Sequence, residues 1–169
     1  MFTLNAKQAS SQREWWKMRI KMRKAEQGDF EDYLKFKREE EKNLSDYLHE
    51  KIKYLPTSAL KKEYEKSLKN KNEIIIFLEI DNIIISYLHG SFYENLYTSG
   101  GYIEDIFVLK KFRKKGYARL MINYFIKEIK KRKYSQITLE VNVKNKKAIN
   151  FYKKIGLKLH HYGFKKRLK

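Results

Sequence analysis

The sequence contains no cysteine, and this absence excludes disulfide bonds and thiolate metal ligands. Histidine is also scarce. The four histidines are His49, His89, His160 and His161, and none of them forms a pair at the spacing of one helical turn. Because metal sites in proteins gather several such ligands, we expect no metal site in this chain.

Long apolar runs are absent as well. The longest runs, residues 74–78 and 83–85, are far shorter than the roughly 20 residues that a membrane-spanning helix needs. The N-terminus lacks the apolar stretch and the small-residue cleavage site of a secretory signal. We therefore expect a cytoplasmic protein that does not contact a membrane.

Proline and glycine, which often interrupt a chain between domains, are few. One proline and seven glycines occur among 169 residues, of which 42% are hydrophobic and 15% are aromatic. This composition is typical of one folded unit with a substantial core. We predict an N-terminal extension at residues 1–17 and a single domain at residues 18–169.

Acidic residues are nearly missing from the C-terminal part of the chain. Residues 1–108 hold 18 basic and 18 acidic side chains, whereas residues 109–169 hold 21 basic side chains against Glu128 and Glu140. This imbalance attracts polyanions such as a nucleotide cofactor, RNA or an acidic surface. The basic stretch at 127–133 is a candidate contact with RNA or a ribosome, although favourable placement of lysine at a helix end is the simpler explanation.

Apolar periodicity predicts that strands and helices alternate along most of the chain. Asp29 is a favourable N-cap for the first helix, and the Asp81-Asn82 pair predicts a tight hairpin turn. The Gly100-Gly101 pair predicts an interruption before a strand, and Gly156 predicts a left-handed end to the last helix. The predicted strands are 18–23, 73–80, 83–91, 102–108, 136–141 and 157–164, and the predicted helices are 30–48, 56–68, 116–133 and 146–155.

A short glycine-bearing loop lies between the predicted strand 102–108 and the predicted helix 116–133. It reads Arg-Lys-Lys-Gly-Tyr-Ala at residues 113–118. Backbone N–H groups at a helix N-terminus lack helical partners, and the helix dipole adds positive charge there. Glycine lets the backbone approach a phosphate closely. The loop therefore predicts a cradle for a pyrophosphate.

A second motif follows downstream, at residues 145–157, and reads Asn-Lys-Lys-Ala-Ile-Asn-Phe-Tyr-Lys-Lys-Ile-Gly-Leu. Together with the loop and the order of elements, it resembles the GNAT superfamily of acyl-CoA-dependent N-acyltransferases. In the corresponding segment, the family's signature is Asn-x-x-Ala-x-x-Phe-Tyr-x-x-x-Gly-Phe. Ala118 and Leu157 depart mildly from the family pattern, in which glycine and phenylalanine are frequent. The resemblance covers residues 20–164.

The resemblance implies an α/β (α+β) fold, with a mixed, mostly antiparallel central sheet, a splayed parallel strand pair and flanking helices. It also implies acetyl-CoA as co-substrate, bound between the strands 102–108 and 136–141. Backbone groups of the first strand would bond the pantetheine arm, the loop N–H groups would hold the pyrophosphate, and Asn145 would bond the end of the pantetheine. The cofactor-binding residues expected from the resemblance are Ile106, Phe107, Val108, Arg113, Lys114, Lys115, Gly116, Tyr117, Ala118, Arg119, Asn145 and Tyr152.

The implied chemistry is acyl transfer from a thioester to an amine. Because the chain has no cysteine to carry the acyl group, we expect direct attack in a ternary complex. The N–H of Val108 is the candidate donor to the oxyanion. Tyr152 matches the family's acid for the leaving thiolate, although its place on the apolar stripe of its helix also suits a core residue.

Three carboxylates are candidates for the base that deprotonates the amine. Glu140 lies within an otherwise apolar run, where partial burial would raise its pKa, although pairing with a lysine is an equal alternative. Glu104 and Asp105 resemble the acidic pair with which polyamine acetyltransferases hold a cationic amine. Since neighbours on a strand point to opposite faces, only one of these two need face the cleft unless a bulge intervenes.

The acceptor amine is less well defined than the reaction. A protein N-terminus or a lysine is our first expectation, and a polyamine or an aminoglycoside is the second. A different class of function, a non-catalytic module that binds CoA or RNA, is the rival hypothesis. The protein is expected to be a monomer or a homodimer.

Overall fold

The computed structural model describes residues 19–48, 53–161, 163, 164 and 166, so the predicted extension at 1–17 lies outside the described residues. Two 3₁₀ turns, Gln27–Asp29 and Lys110–Phe112, accompany the longer elements. The strands are β1 (Ile20–Lys24), β2 (Glu73–Ile80), β3 (Ile83–Glu94), β4 (Ser99–Val108) and β5 (Gln136–Leu139), and the helices are α1 (Phe30–Leu48), α2 (Thr57–Lys69), α3 (Tyr117–Lys131) and α4 (Lys146–Lys154).

The five strands form one sheet in the order β1-β2-β3-β4-β5. The first three pairings are antiparallel, and β4 pairs with β5 in parallel. The crossover between β4 and β5 contains α3, as a parallel connection requires. The predicted mixed, mostly antiparallel sheet with one parallel pair is therefore confirmed.

Helices cover both faces of the sheet, and each face has its own core. One core packs under α1 and α2 and includes Tyr33, Tyr64, Phe77 and Tyr87. The other core packs under α3 and includes residues of every strand from β2 to β4. We call these sides the α1 face and the α3 face. Because strand side chains alternate between faces, neighbouring residues of β4 contribute to different cores.

The hairpin between β2 and β3 follows the predicted turn. Asp81 and Asn82 have φ angles of 50° and 65°, and Ile80 pairs with Ile83. Two consecutive left-handed residues match the twist of the flanking strands, and Asp and Asn tolerate this conformation better than most residues. The turn was therefore predictable from two residues alone.

Two predictions, one about a helix cap and one about a strand, are wrong. Asp29 does not cap α1, because it closes the preceding 3₁₀ turn by accepting a hydrogen bond from the N–H of Glu26 at 2.7 Å. The predicted strand 157–164 does not form in its described residues, 157–161, 163 and 164. Apolar alternation alone did not suffice there, because no described strand pairs with this segment and Leu159 remains 64% exposed.

The Gly100-Gly101 pair lies inside β4, so the predicted interruption there is also wrong. Gly100 pairs with both Tyr93 and Gln136, and Gly101 pairs with Phe92 and Ile137. A Cβ on Gly101 would lie 2.5 Å from the Ile129 side chain of α3. These glycines are needed for the close approach of α3 and β5 to β4.

Replacing Gly100 with alanine is expected to destabilise the protein by about 1–3 kcal/mol. The new Cβ would lie 2.7 Å from the carbonyl oxygen of Gln136, so β5 would have to move away from β4. Urea unfolding measures the loss. Gly28→Ala is the control, because no described atom beyond its chain neighbours lies within 4 Å of a Cβ there, and its effect should stay within about 0.5 kcal/mol. Equal effects of the two substitutions would contradict the close approach.

Candidate functional site

The parallel strands β4 and β5 separate partway along β4. Their pairing runs from Gly100 with Gln136 to Ile103 with Leu139. β4 continues to Val108, and no described strand pairs with residues 104–108 on this side. The unpaired edge offers backbone N–H and C=O groups to a ligand that can lie alongside as an extra strand.

A β-bulge marks the point where the strands separate. His89 pairs with Asp105 and Gly90 pairs with Ile103, so Glu104 is the extra residue. The bulge restarts the alternation of side chains, and as a result Ile103 and Ile106 both contribute to the core of the α3 face. Asp105, opposite His89, lies on the α1 face together with Phe107.

Backbone direction along the open edge also alternates. The N–H of Leu109 donates to the carbonyl of Ile85 at 3.0 Å, which marks a hydrogen-bonded position of the antiparallel pair. The antiparallel pattern then directs the backbone groups of Ile106 and Val108 toward the open edge and those of Phe107 toward β3. Of the three residues predicted to bond the pantetheine, Ile106 and Val108 therefore direct their backbone groups into the space between the separated strands β4 and β5. We call this space the gap.

The loop after β4 is anchored to the end of the strand by Arg113. Its Nε donates to the carbonyl oxygen of Val108 at 2.8 Å, and its guanidinium lies 5.0 Å from the centre of the Phe107 ring. These contacts hold the loop beside the open edge of β4. The remaining guanidinium donors and the positive charge stay at the surface, since Arg113 is exposed.

The loop ends at the N-terminus of α3 in a left-handed conformation. Lys114 has a φ of 63°, and Gly116, the N-cap residue, has a φ of 86°. The first N–H groups of α3 have no partner within the helix. A Cβ on Gly116 would meet no described atom within 4 Å, so this backbone faces open space. Six cationic side chains are exposed around it: Lys110, Lys111, Arg113, Lys114, Lys115 and Arg119.

These features fit the chemistry of CoA. Unpaired N–H groups at a helix N-terminus and nearby cations stabilise a pyrophosphate, and consecutive turns with left-handed residues form anion-binding concavities. The predicted loop residues Lys115, Tyr117 and Ala118 belong to the same short segment. The loop and the open edge of β4 are thus continuous, as a ligand with a phosphate end and an amide-containing arm requires.

Helix α4 carries the second motif. Asn145 is its N-cap, and its Oδ1 accepts a hydrogen bond from the N–H of Ala148 at 3.1 Å. Tyr152 is half-buried and packs against the core of the α3 face together with Phe151. Burial raises the pKa of Tyr152, so its phenol keeps its proton at neutral pH.

Two of the three candidate bases, Glu104 and Glu140, are exposed. Glu104, in the bulge, is exposed and accepts a hydrogen bond from the Ser91 hydroxyl at 2.6 Å. Glu140 follows the end of β5 and is exposed, so the partial burial assumed for it is absent. β5 ends two residues earlier than predicted because β4 diverges from it. Burial raises the pKa of Tyr102, and the charges of Glu140 and Glu104 add to this effect, so both acids lie near one phenol.

The comparison with known protein families is decisive. Residues 30–157 match the family described as the acetyltransferase (GNAT) family. The chain belongs to the GNAT acetyltransferase family. The predicted family, and the predicted enzyme class of an acetyl-CoA-dependent N-acyltransferase, are confirmed.

Solved structures confirm the GNAT fold. A transcriptional regulator from Bacillus halodurans C-125 is 22% identical with a TM-score of 0.72, over 89% of this chain and 100% of that one. The aminoglycoside antibiotic 6'-N-acetyltransferase AAC(6')-Ih from Acinetobacter baumannii is 14% identical with a TM-score of 0.70, over 89% and 99%. The aminoglycoside N-acetyltransferase AAC(6')-Iy, solved in complex with CoA, is 15% identical with a TM-score of 0.74, over 90% and 96%.

A group of polar residues beside Asp105 was not predicted from the sequence of this GNAT acetyltransferase. Lys37 and Glu40 of α1 and Tyr87 of β3 form hydrogen bonds there, and none of the three was predicted to lie near the site. One signal was available, because Lys37 and Glu40 are three residues apart and therefore adjacent on a helix. Their approach to Asp105, 68 residues away from Lys37, depends on how α1 packs on the sheet.

The described part of this GNAT acetyltransferase contains no helix that is both long and apolar enough to cross a membrane.

Proposed function

We propose that this GNAT acetyltransferase transfers the acetyl group of acetyl-CoA to a primary amine of a small polycationic molecule, by direct attack in a ternary complex. The observation that carries the proposal is the open edge of β4 at residues 104–108, which runs into the basic loop at the N-terminus of α3. This arrangement provides adjoining places for an extended arm and for phosphates.

Several residues would hold the co-substrate. Ile106 would bond the pantetheine through its backbone N–H and C=O, and Val108 would contact the thioester end through its N–H, because its carbonyl already accepts from Arg113. The ring of Phe107 would support the loop through Arg113. The N–H groups at 114–119 would bind the pyrophosphate, with Gly116 leaving room for it. Asn145, whose Oδ1 already caps α4, would contribute through its amide nitrogen. When bound, acetyl-CoA supplies an acetyl group activated as a thioester.

The proton transfers would be divided between the two sides of the gap. We assign the base to Glu104, because its carboxylate lies in the bulge at which β4 and β5 separate. Glu140, near the end of β5, is the second candidate. Tyr152, kept protonated by its burial, would donate a proton to the departing thiolate. The N–H of Val108 would stabilise negative charge on the reacting oxygen.

Two observations support a small polycationic acceptor over a protein acceptor. The structural neighbours include aminoglycoside acetyltransferases, one of them solved with a bisubstrate analogue of CoA and acetylneamine. In addition, residues 30–48, which form α1, contain six acidic and four basic side chains, whereas the C-terminal part is strongly basic. A cationic amine would therefore be attracted to the α1 side of the molecule and repelled from the other. No comparable observation supports a protein N-terminus or a lysine as the acceptor, so that expectation stays a prediction.

The protein is expected to release CoA thiol from acetyl-CoA when 1,4-diaminobutane or spermidine is present. Glu104→Gln should lower kcat about 100-fold, because a general base contributes at least this much, and Glu140→Gln should lower it only a few fold. Steady-state kinetics on the two variants, with peptides bearing a free N-terminus or a lysine as alternative acceptors, give the comparison.

Other outcomes of the same experiment are equally informative. A larger loss for Glu140→Gln would assign the base to Glu140, and faster turnover of a peptide would restore the protein acceptor. No turnover with any amine, together with salt-sensitive RNA binding, would contradict the enzymatic function. If acetyl-CoA failed to raise the Tm of the protein, the co-substrate site itself would be refuted.

A further inference from the structure

A polar cluster lies between α1 and the sheet, next to the bulge in β4. We call it the Glu40 cluster and define it by Tyr33, Lys37, Glu40, Tyr87 and Asp105. The Lys37 Nζ lies 3.0 Å from the Glu40 Oε2 and 2.9 Å from the Asp105 Oδ2. The Tyr87 hydroxyl donates to the same Glu40 oxygen at 2.7 Å. The cluster therefore brings two carboxylates to one ammonium group.

The Glu40 cluster contains more negative than positive charge. Burial and the nearby Asp105 charge raise the pKa of Glu40. Burial acts to lower the pKa of Lys37, but Glu40 and Asp105 outweigh it and raise that pKa. Among the other charged groups nearby, Glu63 acts on Tyr33, and His89, opposite Asp105, is bonded to Glu73 at 3.0 Å. An additional cation would relieve this excess.

The Tyr33 hydroxyl is an unsatisfied polar group in this cluster. Tyr33 is fully buried, and its hydroxyl oxygen is the one buried side-chain polar atom among the described residues without a hydrogen-bond partner. Burial raises its pKa, and the charges of Lys37, Asp105 and Glu40 all act on it. A buried hydroxyl without a partner is costly, so a ligand that donates a hydrogen bond to it would be favoured.

The cluster is also close to the place of reaction and open to solvent. Asp105 lies one residue, about 3.3 Å along the strand, from Ile106, whose backbone faces the open edge. The Asp105 and Glu40 side chains keep 28% and 26% of their exposure, so a ligand can reach both. A second amine of an acceptor that reacts in the gap would lie within a few methylene groups of these carboxylates.

We propose that Glu40 and Asp105 bind a second, non-reacting ammonium group of the acceptor, and that Lys37 is the resident cation with which this group competes. The inference rests on the proposed function and names its substrate class as a diamine or polyamine. A primary ammonium is the chemistry that the carboxylates already accept from Lys37.

The test compares butylamine with 1,4-diaminobutane, which share a four-carbon chain and differ in the second amine. The measured quantity is the ratio of kcat/KM for the diamine to that for the monoamine. Glu40→Gln is expected to lower this ratio about tenfold, because a hydrogen bond to a charged group is lost. Lys37→Met is expected to raise it, by up to about fivefold, because the competing cation is removed. Glu39→Gln, an exposed acid of the same helix, is the matched control and should leave the ratio unchanged.

Titration of 1,4-diaminobutane into the protein–CoA complex by calorimetry gives a second readout that does not need turnover. Weaker binding in Glu40→Gln and tighter binding in Lys37→Met support the site even if no amine is acetylated, a result that would refute the proposed function alone. Turnover with a ratio that neither substitution changes would overturn the site and leave the proposed function standing. If Lys37→Met does not fold, the comparison of Glu40→Gln with Glu39→Gln decides the matter.

Discussion

Replacing Tyr152 with phenylalanine is expected to lower kcat about 100-fold while the KM for acetyl-CoA changes little. The substitution removes the hydroxyl and keeps the ring that packs against the core of the α3 face. The raised pKa of the phenol means that it is protonated over the whole neutral range, so it can act as a donor and not as a base. Steady-state kinetics at saturating acetyl-CoA measure the effect.

Tyr124→Phe is the matched control for this prediction. Tyr124 is a half-buried tyrosine of α3 that packs against the same core, and it has no assigned part in the reaction. Its substitution should leave kcat unchanged, and both variants should keep the Tm of the wild-type protein within a few degrees. If Tyr152→Phe retained full activity, Tyr152 would be a core residue and the leaving thiolate would need another donor.

Replacing Phe125 with alanine is expected to destabilise the protein by about 3–5 kcal/mol. Phe125 is fully buried, and its ring lies 5.4 Å from that of Phe92. It also covers Gly90 and Gly101, whose Cβ atoms would lie 2.5 Å and 2.8 Å from its ring. Because these neighbours have no side chains that could move into the space, the cavity would persist and the cost should be near the upper end.

A double-mutant cycle with Gly90 tests this explanation through urea unfolding. The three atoms nearest to a Cβ at Gly90 all belong to the Phe125 ring, so Gly90→Ala alone should be destabilising. In the Phe125→Ala background the same methyl group should fill part of the cavity and recover stability. The two effects should therefore be strongly non-additive. Simple additivity would show that the ring does not occupy the space above Gly90.

Elements whose cause is local could be predicted from the sequence. The start of α1 at Phe30 agrees with the prediction because apolar residues recur at helical spacing over its first turns, and the β2–β3 turn agrees because Asp81 and Asn82 tolerate left-handed angles. Gly156, with a φ of 96°, ends α4 as predicted. In each case the deciding interactions lie within a few residues, where propensity and turn chemistry act directly.

Elements that depend on distant partners were predicted less well. Gly100-Gly101 looks like a chain break in sequence but is a point of close packing against β5 and α3. The segment 157–164 has the alternation of a strand but no described partner to pair with. The bulge at Glu104 has no local signal, because it results from the mismatch between two registers of β3 and β4. Strand pairing depends on the sequences of both strands, so the sequence of one strand alone does not determine its partner or its register.

The same division applies to the candidate site. The loop at 113–118 and the helix that carries Tyr152 form where the sequence predicted them, because a helix N-terminus and a helical apolar stripe depend only on neighbouring residues. Which acid lies at the separation of β4 and β5, and which lies on the α1 face, was decided by the bulge. The exposure of Glu140 followed from the early end of β5.

By itself, the sequence determined the family, the type of reaction and the loop that we propose holds the pyrophosphate. Its motifs are short, contiguous segments whose function is carried by backbone geometry and local charge. The tertiary structure alone brought Lys37 to Asp105 across 68 residues and left the Tyr33 hydroxyl buried without a partner. In the proposed function, selection of the acceptor would depend on such contacts between elements. These contacts arise only when α1 packs on the sheet and brings together charges that are far apart in sequence.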